Sequence, residues 1–236
     1  MTHVEFESRM FVDLVQCVST DRMVANAARV STMGARAEQG SESISGLINF
    51  LMKNRHGTPF EHGLFTFRVR IPIFVMRELH RHRVGFSYNE QSGRYSELDG
   101  LFYVPDADRP LTQIGKPGAY TFVPGTRDQV GEVQYEAKQS AIEDWARYHR
   151  LLDLGVAREV ARDGLGVNIY SACYVSCNPR SLMHFLSLRV KSDEDTTFPS
   201  YPLYEIDKMA SQMEDGFRKE MPLTHSAFIK NGRVDP

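Results

Sequence analysis

The chain has 236 residues, of which 42% are hydrophobic and 25% charged, so one large domain can bury a core without disulfides or metal ions. The formal net charge of −2 gives no global basic field for nucleic acid, and the odd set of Cys17, Cys173 and Cys177 is neither a disulfide framework nor a four-ligand zinc site. The N-terminus lacks the basic and apolar regions of a signal peptide, and no apolar run reaches the ~18 residues of a membrane span, so we expect a cytoplasmic protein.

The first predicted elements are a helix and a strand. Residues 44–52 place apolar side chains at helical spacing, with Ser41 and Ser43 as candidate N-caps. Residues 65–71 alternate apolar and polar side chains, which predicts a strand with one buried face.

The chain then enters a short helix and a long irregular segment. Pro72 closes the strand and suits the first turn of a helix that runs to about Arg81. Residues 104–128 are rich in proline and glycine and show little periodicity, which predicts a long loop.

Helical patterns dominate the second half of the chain, where residues 194–202 form a further predicted loop. The predicted helices are 128–154, which ends at Gly155, then 156–162, then 178–190, with Asn178 as its N-cap and Pro179 in its first turn, and 203–220. Because strands come early and helices late, the pattern favours an α+β domain over alternating βαβ units. We expect a single domain over residues 1–236. A Gly-rich loop of the dinucleotide or Walker type is missing from the sequence, so any nucleotide is held in another way.

Residues 81–94 are the most informative segment. They read Arg-His-Arg-Val-Gly-Phe-Ser-Tyr-Asn-Glu-Gln-Ser-Gly-Arg. On a continuing helix the first three side chains point about 100° apart, so they would hold a large polyanion or two separate ligands. The final Ser-Gly-Arg offers a hydroxyl, close backbone approach and a guanidinium that matches phosphate. Asn89 and Glu90 add amide donors and acceptor oxygens that can hydrogen-bond to the edge of a base or sugar. The alternative is a solvated basic turn that pairs with Glu78 and Glu90.

This segment resembles the signature of flavin-dependent thymidylate synthases. The matching pattern is Arg-His-Arg, eight residues, then Ser, with Asn-Glu before the serine and Gly-Arg after it. Other segments resemble further motifs of the family, and together they cover nearly the whole chain. They are Ala28–Ser31, His56–His62, Asn178–Leu186 with Leu188-Arg189, and Pro222–His225.

The resemblance implies an α+β fold of mainly antiparallel sheet packed with long helices, in a homotetramer whose sites several subunits build. It implies an enzyme that takes a methylene group from methylenetetrahydrofolate, places it on C5 of dUMP and reduces it with a hydride from FAD. NADPH re-reduces the flavin. The cofactor performs the difficult chemistry, and the protein supplies position and electrostatics.

The resemblance also implies roles for individual residues. Those expected to bind FAD are Ser31, Thr58, Glu61, Arg81, His82, Arg83, Asn89, Glu90, Asn178, Arg180 and His184. Those expected to bind the nucleotide are Glu78, Arg81, Glu90, Gln91, Ser92, Gly93, Arg94, Arg162 and Arg189. The catalytic candidates are His56, near the flavin ring, and Arg189, which would polarise the uracil near N3 and O2. Arginine stays protonated, so Arg189 is not an ordinary base.

Helix geometry adds an independent expectation for residues 178–190. Arg180 and His184 are four residues apart and share a face. Arg189 lies nine residues beyond Arg180, about 180° around an ideal helix. We therefore expect this helix to divide two ligands, with the flavin on the Arg180 side and the nucleotide on the Arg189 side.

Several departures from the family pattern lie near the predicted nucleotide site. They are Glu78, the Asp163-Gly164-Leu165-Gly166 stretch, Asp193 with the loop at 194–202, and His184, where some members have asparagine. The two glycines loosen the backbone beside Arg162. An acid at Glu78 would repel a phosphate but can accept from a sugar hydroxyl. One alternative is therefore a methylase that takes UMP, or both UMP and dUMP, as in nucleoside-antibiotic pathways. Two further alternatives are a flavin- or nucleotide-binding protein without turnover and an RNA-binding module that uses the basic segments.

Overall fold

The structure is a computed structural model that describes residues 3–39, 43–116, 119–192 and 196–236. The strands are β1 (Glu5–Glu7), β2 (Phe11–Cys17), β3 (Phe65–Pro72), β4 (Phe86–Glu90), β5 (Leu101–Tyr103), β6 (Thr112–Lys116), β7 (Ala119–Val123) and β8 (Tyr170–Cys177). The helices are α1 (Asp21–Met33), α2 (Ile44–Lys53), α3 (Ile73–Leu79), α4 (Arg127–Asp153), α5 (Arg158–Ala161), α6 (Pro179–Arg189), α7 (Tyr204–Glu220) and α8 (Pro222–Lys230). In these ranges no helix is long and apolar enough to cross a membrane.

The strands form one four-stranded sheet and two pairs. The sheet has the order β2-β3-β8-β4, and the pairs are β1-β5 and β6-β7. The β6-β7 pair is antiparallel, whereas β1 and β5 run parallel. The expected α+β class is confirmed. The strands are not confined to the first half of the chain, because β8 lies in the second half, where it supplies an inner strand of the four-stranded sheet. That strand has a buried inner face of alternating residues, since period two places every second side chain on one side.

The chain divides into two compact units, and the prediction of a single domain stays a prediction. The first unit is Met1–Phe11, Arg70–Leu79 and Glu90–Cys173, and the second is Val12–Val69, His80–Asn89 and Tyr174–Pro236. In the first, Phe102, Trp145 and Ile169 belong to a buried apolar cluster. In the second, Phe65 stacks on Phe67 and meets the ring of Phe217 edge-on.

Three predicted helices have the predicted caps. The Ser43 hydroxyl accepts from the backbone of Gly46 at the start of α2, while the other candidate, Ser41, lies outside the described residues. Gly155 follows α4 with a φ of 80°. At the start of α6, the Asn178 side chain accepts the Ser181 N–H at 2.8 Å, and proline occupies the first turn. The helix expected at 203–220 is α7.

Other boundaries differ from the predictions. The helix expected to reach about Arg81 ends at Leu79, so the Arg-His-Arg run lies in a turn. The Tyr88 hydroxyl donates to the carbonyl of His82 in this turn, and Gly85, at a φ of 70°, turns the chain into β4. The helix expected over 156–162 is the four-residue α5 followed by a 3₁₀ turn.

The predicted loop at 104–128 is wrong in its middle, which holds the β6-β7 hairpin. The two five-residue strands pair from Thr112↔Val123 to Lys116↔Ala119. Proline and glycine lie at the ends of both strands, so the amino-acid composition of the segment predicts a loop. The two strands are defined by their backbone pairing, which the periodicity of the side chains does not indicate. The helices α1 and α8 were also not predicted, and α8 carries the Pro222–His225 motif. The described part of the loop expected at 194–202 contains no helix or strand.

Candidate active site

The second unit contains a cavity of about 820 Å³ that we call the Ser31 cavity. It is formed by α1, α2 and the turn that follows α2. Its polar lining includes Arg29, Ser31, Arg55, His56, Thr58 and His62. Three of these, Ser31, His56 and Thr58, were predicted to contact or lie near the flavin. The two arginines and His62 were missed, although Arg29 lies in the Ala28–Ser31 motif, His62 lies in the His56–His62 motif and Arg55 directly precedes that motif.

The turn after α2 is held by close backbone packing. Arg55 adopts a φ of 59°, and the next residue, His56, places its ring edge-on to Phe50 at 5.7 Å. A Cβ added at the buried Gly57 would come within 2.6 Å of the Arg180 guanidinium and 2.8 Å of the Pro236 carbonyl oxygen. Glycine is therefore the residue that lets α6 and the C-terminal segment approach this turn.

The Ser31 cavity fits a flavin dinucleotide in size and in chemistry. Its volume lies in the upper part of the roughly 300–1,000 Å³ typical of cofactor sites. Arg29 and Arg55 would supply positive charge to a bound diphosphate, and the Ser31 and Thr58 hydroxyls would supply polar contacts. Apolar side chains from α2, including Leu47, line the remainder and suit a ring system.

The first unit contains a second cavity of about 430 Å³ that we call the Ser92 cavity. Its polar lining is Glu90, Gln91, Ser92, Gly93, Arg162, Asp163 and Ser171, and apolar side chains such as Leu98 complete it. Gln91 donates its backbone N–H to Ala172, which ties the segment to β8. Five residues predicted for the nucleotide thus share one cavity, although about 70 residues separate Ser92 from Arg162.

Gly93 and Arg94 have different surroundings. A Cβ at Gly93 would contact the Arg162 side chain at 3.3 Å, so the glycine allows the guanidinium stem to lie close to the backbone. Arg94 does not line the cavity. It forms a 3.3 Å ion pair with Glu159, and both side chains are at least half exposed. An exposed pair of this kind is weak and can exchange for a phosphate.

The Arg-His-Arg turn separates its three side chains, as only His82 is buried. Arg189 donates its Nε–H to His82 Nε2 at 3.1 Å, and the His184 ring lies 6.2 Å from the His82 ring. Burial and then the positive charges of Arg189, His184 and Arg81 lower the pKa of His82 to about 4. His82 therefore contacts both the His184 and Arg189 positions of α6, which the helix geometry had assigned to opposite sides.

The remaining predicted residues lie outside both cavities. Glu61 pairs with the Arg180 guanidinium at 2.5 Å, and His184 Nδ1 lies 3.2 Å from Asp235 Oδ1, a contact that the sequence did not indicate. Asn178 caps α6 with its side-chain oxygen. The others are Glu78, which is partly buried, and Arg81, Arg83 and Asn89, which are exposed.

Comparisons with known proteins agree with the motif pattern. The chain matches the family model described as Thy1, thymidylate synthase complementing protein, over residues 13–223. It is 50% identical to the flavin-dependent thymidylate synthase of Streptomyces coelicolor, over 99% of this chain and 96% of that protein. It is also 50% identical to the enzyme of that name from Tropheryma whipplei, over 98% of this chain and 97% of that protein.

The chain also resembles a solved structure over nearly its whole length. The crystal structure of the UMP/dUMP methylase PolB from Streptomyces cacaoi, bound with 5-Br UMP, matches with a TM-score of 0.92. The two chains are 47% identical, and the match covers 99% of this chain and 100% of that one. With a family match over most of its length and full-length relatives at half identity, the chain belongs to the flavin-dependent thymidylate synthase family.

Proposed function

We propose that the protein methylates C5 of the uracil ring of a nucleoside monophosphate, with FAD in the Ser31 cavity and the nucleotide in the Ser92 cavity. The observation that carries the proposal is the grouping of motif residues from distant parts of the chain into two cavities. One matches a dinucleotide cofactor in size, and the other is lined by hydroxyl, amide and guanidinium groups.

In this proposal the phosphate lies beside Ser92, Gly93 and Arg162. The guanidinium of Arg162 donates bidentately to phosphate oxygens, and the Ser92 hydroxyl adds a hydrogen bond. Arg94 joins them by leaving Glu159, since that ion pair is exposed. The substrate phosphate is thereby held at several points, which fixes the position of the uracil ring.

Arg189 is the proposed electrostatic catalyst at the uracil. A guanidinium near N3 and O2 stabilises the negative charge that develops on the ring as C5 attacks the methylene carbon. When bound, FAD supplies the hydride that reduces the transferred methylene to a methyl group. His56, which lines the Ser31 cavity, is proposed to lie near the flavin ring and the folate. Ser92 acts as a binding residue and not as a nucleophile.

A second candidate function is methylation of UMP as well as dUMP. Asp163 lines the Ser92 cavity, and a carboxylate in a phosphate-binding cavity is best placed at the sugar, where it can accept from a 2′-hydroxyl. The similarity to PolB, a UMP/dUMP methylase by its description, supports this candidate.

The proposal includes co-substrates and an assembly. Methylenetetrahydrofolate is the carbon donor and NADPH the reductant, and the protein functions in the cytoplasm as a homotetramer whose active sites combine residues of several subunits. Light scattering after size-exclusion chromatography tests the assembly, and a monomer at working concentration would contradict it.

A paired assay tests the function. The as-purified protein receives methylenetetrahydrofolate, FAD and NADPH, with dUMP in one tube and UMP in the other, and mass spectrometry detects the methylated product. We expect product from dUMP, and product from UMP as well if Asp163 accepts the 2′-hydroxyl. A yellow protein without product from either nucleotide would favour binding without turnover, and a colourless protein that binds RNA would favour the RNA-binding alternative.

Matched variants assign the two cavities. R162A should raise the KM for the nucleotide by about 10- to 100-fold, because charged hydrogen bonds contribute about 1.5–3 kcal/mol. R150A, an exposed arginine on α4, is the control and should leave the KM unchanged. G57A should lower bound flavin, read from absorbance, whereas G131A, whose added Cβ meets nothing within 4 Å, should not.

A further inference from the structure

The contact between His82 and Arg189 is specific to individual atoms. Arg189 ends α6, and its Nε–H donates to Nε2 of His82 at 3.1 Å. This bond engages the nitrogen at the base of the guanidinium fork. The guanidinium is planar, so fixing Nε fixes the plane and direction of the whole group.

The donor identity determines the state of the imidazole. Arginine cannot be deprotonated in a protein, so its Nε is always a donor. Nε2 of His82 must then be an acceptor, which places the single ring proton on Nδ1. A protonated imidazole has donors on both nitrogens and cannot accept this bond.

The surroundings of His82 favour this neutral form. The charged and titratable groups around it are Arg189 and His184 on α6, Arg81 beside it in the turn, and Tyr88 on β4. Because the residue is buried, at 8% exposed, and because its three charged neighbours are cationic or potentially cationic, the pKa of His82 falls to about 4. The imidazole therefore remains an acceptor at neutral pH.

One contact holds the His82 ring in place and another holds its main chain. The Phe185 ring meets it edge-on, with the ring centroids 4.8 Å apart. The Tyr88 hydroxyl donates to the main-chain carbonyl of His82 at 2.6 Å, which anchors the turn to β4. The acceptor nitrogen is thus rigid, and an arginine bonded to it loses its rotamer freedom before a ligand arrives.

We propose that His82 is a positioning residue, whose Nε2 accepts the Arg189 Nε–H and aims the guanidinium at the uracil. The direction towards the uracil rests on the proposed function, whereas the contact itself does not. His82 acts through Arg189 and takes no part in proton transfer.

A variant series tests the role. H82F keeps a ring of similar size but removes the acceptor, and H82Q restores an acceptor oxygen at a similar reach. We expect H82F to lower kcat by about 10- to 100-fold with a KM for the nucleotide changed by less than about 3-fold. H82Q should recover at least about a third of the wild-type kcat. H82Q no better than H82F would overturn the proposal.

A double-mutant cycle shows whether His82 acts through Arg189. In an R189A background, H82F should lower the remaining kcat by less than about 2-fold, because the group it positions has been removed. An additional loss as large as in the wild-type background would overturn the proposal, since His82 would then act independently of Arg189.

Nuclear magnetic resonance separates this inference from the proposed function. In ¹⁵N-labelled protein, His82 should be the Nδ1–H tautomer from pH 8 to about pH 5, and the Arg189 Nε–H signal should shift in H82F but return in H82Q. An Nε2–H tautomer or a charged ring at pH 7 would overturn the inference. The expected spectra with no methylated product from wild-type protein would leave the contact intact and contradict the proposed function.

Discussion

Two polar clusters in the second unit each contain a histidine and an arginine, but these residues surround a carboxylate in the first cluster and bond to each other in the second. In the first, Arg233 donates two bonds of 2.8 Å to the Glu214 carboxylate, and His225 lies 2.9 Å from the same group. In the second, His82 accepts from Arg189, and the charged groups that act on its pKa are all cationic or potentially cationic. We call them the Glu214 cluster and the His82 cluster.

The central residues of the two clusters have lowered pKa values for different reasons. Burial alone raises the pKa of Glu214, but the hydrogen bonds from His225 and Arg233 outweigh it and lower the pKa to about 2. The Glu214 cluster thus satisfies its own charges. In the His82 cluster, burial and the neighbouring Arg189, His184 and Arg81 lower the pKa of His82 to about 4, so the imidazole stays neutral at neutral pH.

The largest expected effect comes from breaking the Glu214 cluster. R233A should lower the free energy of unfolding by about 3–5 kcal/mol, because it leaves a buried carboxylate without its main partner. Urea denaturation measures this loss. R218A removes an exposed pair with Asp215 and should cost less than about 1 kcal/mol. Equal losses in the two variants would mean that the cluster is no stronger than a surface ion pair.

The two clusters should lose stability in different pH windows. His82 has a folded pKa of about 4 against an ordinary 6.5, so the unfolded chain binds its proton first and stability falls as the pH drops from 6.5 towards 4. Glu214 has a folded pKa of about 2 against 4.5, so its contribution is present above pH 4.5 and is lost below that value.

The variant H82F tests the pH range in which His82 affects stability, from pH 6.5 towards pH 4. Between pH 7 and pH 4.5 the wild-type protein should lose about 2–3 kcal/mol more unfolding free energy than H82F, since one pKa unit corresponds to about 1.4 kcal/mol. Denaturant titrations at a series of pH values measure the difference. Parallel curves for the two proteins would show that His82 is not held neutral by burial.

A smaller effect should follow from removing only the histidine of the Glu214 cluster. H225F keeps the edge-on ring contact with Phe217 at 5.6 Å but removes one hydrogen bond from Glu214. We expect a loss of about 1–2 kcal/mol in urea denaturation, because both bonds from Arg233 remain. A loss as large as that of R233A would mean that the carboxylate depends equally on both partners.

The smallest effect should come from Asp235, the acid that pairs with His184 of the His82 cluster. It lies against His184, whose side chain is 56% exposed, so D235N should change the melting temperature by only about 1–3 °C, equivalent to less than about 1 kcal/mol. A loss comparable with that of R233A would contradict the comparison, because Asp235 would then stabilise the His82 cluster as strongly as Arg233 stabilises the Glu214 cluster.

Sequence patterns predicted the locally encoded elements well. Helix α2 with Ser43, α4 with its following glycine and α6 with Asn178 all follow from side-chain spacing and capping chemistry within a few neighbouring residues. Of the eight strands only β3 was predicted, and the helices α1 and α8 were missed. Short strands between prolines have little periodicity, and a helix that follows another after one residue shows no loop to mark it.

The sequence by itself determined the family and the residue types that can hold a flavin and a nucleotide. The motifs at 28–31, 56–62, 81–94 and 178–189 are local and readable in order. Only the tertiary structure decided which of these residues share a cavity, because cavities are formed by contacts between distant segments.

The tertiary structure also decided which polar side chains are buried and which charged groups lie beside them. The Arg-His-Arg run shows three adjacent basic residues, but packing against Phe185 and Arg189 alone made His82 the buried, neutral member. The pairing of Glu214 with Arg233 joins α7 to the C-terminal segment. Desolvation and hydrogen-bond partners depend on the packed environment of a side chain, and no spacing rule along the chain specifies that environment.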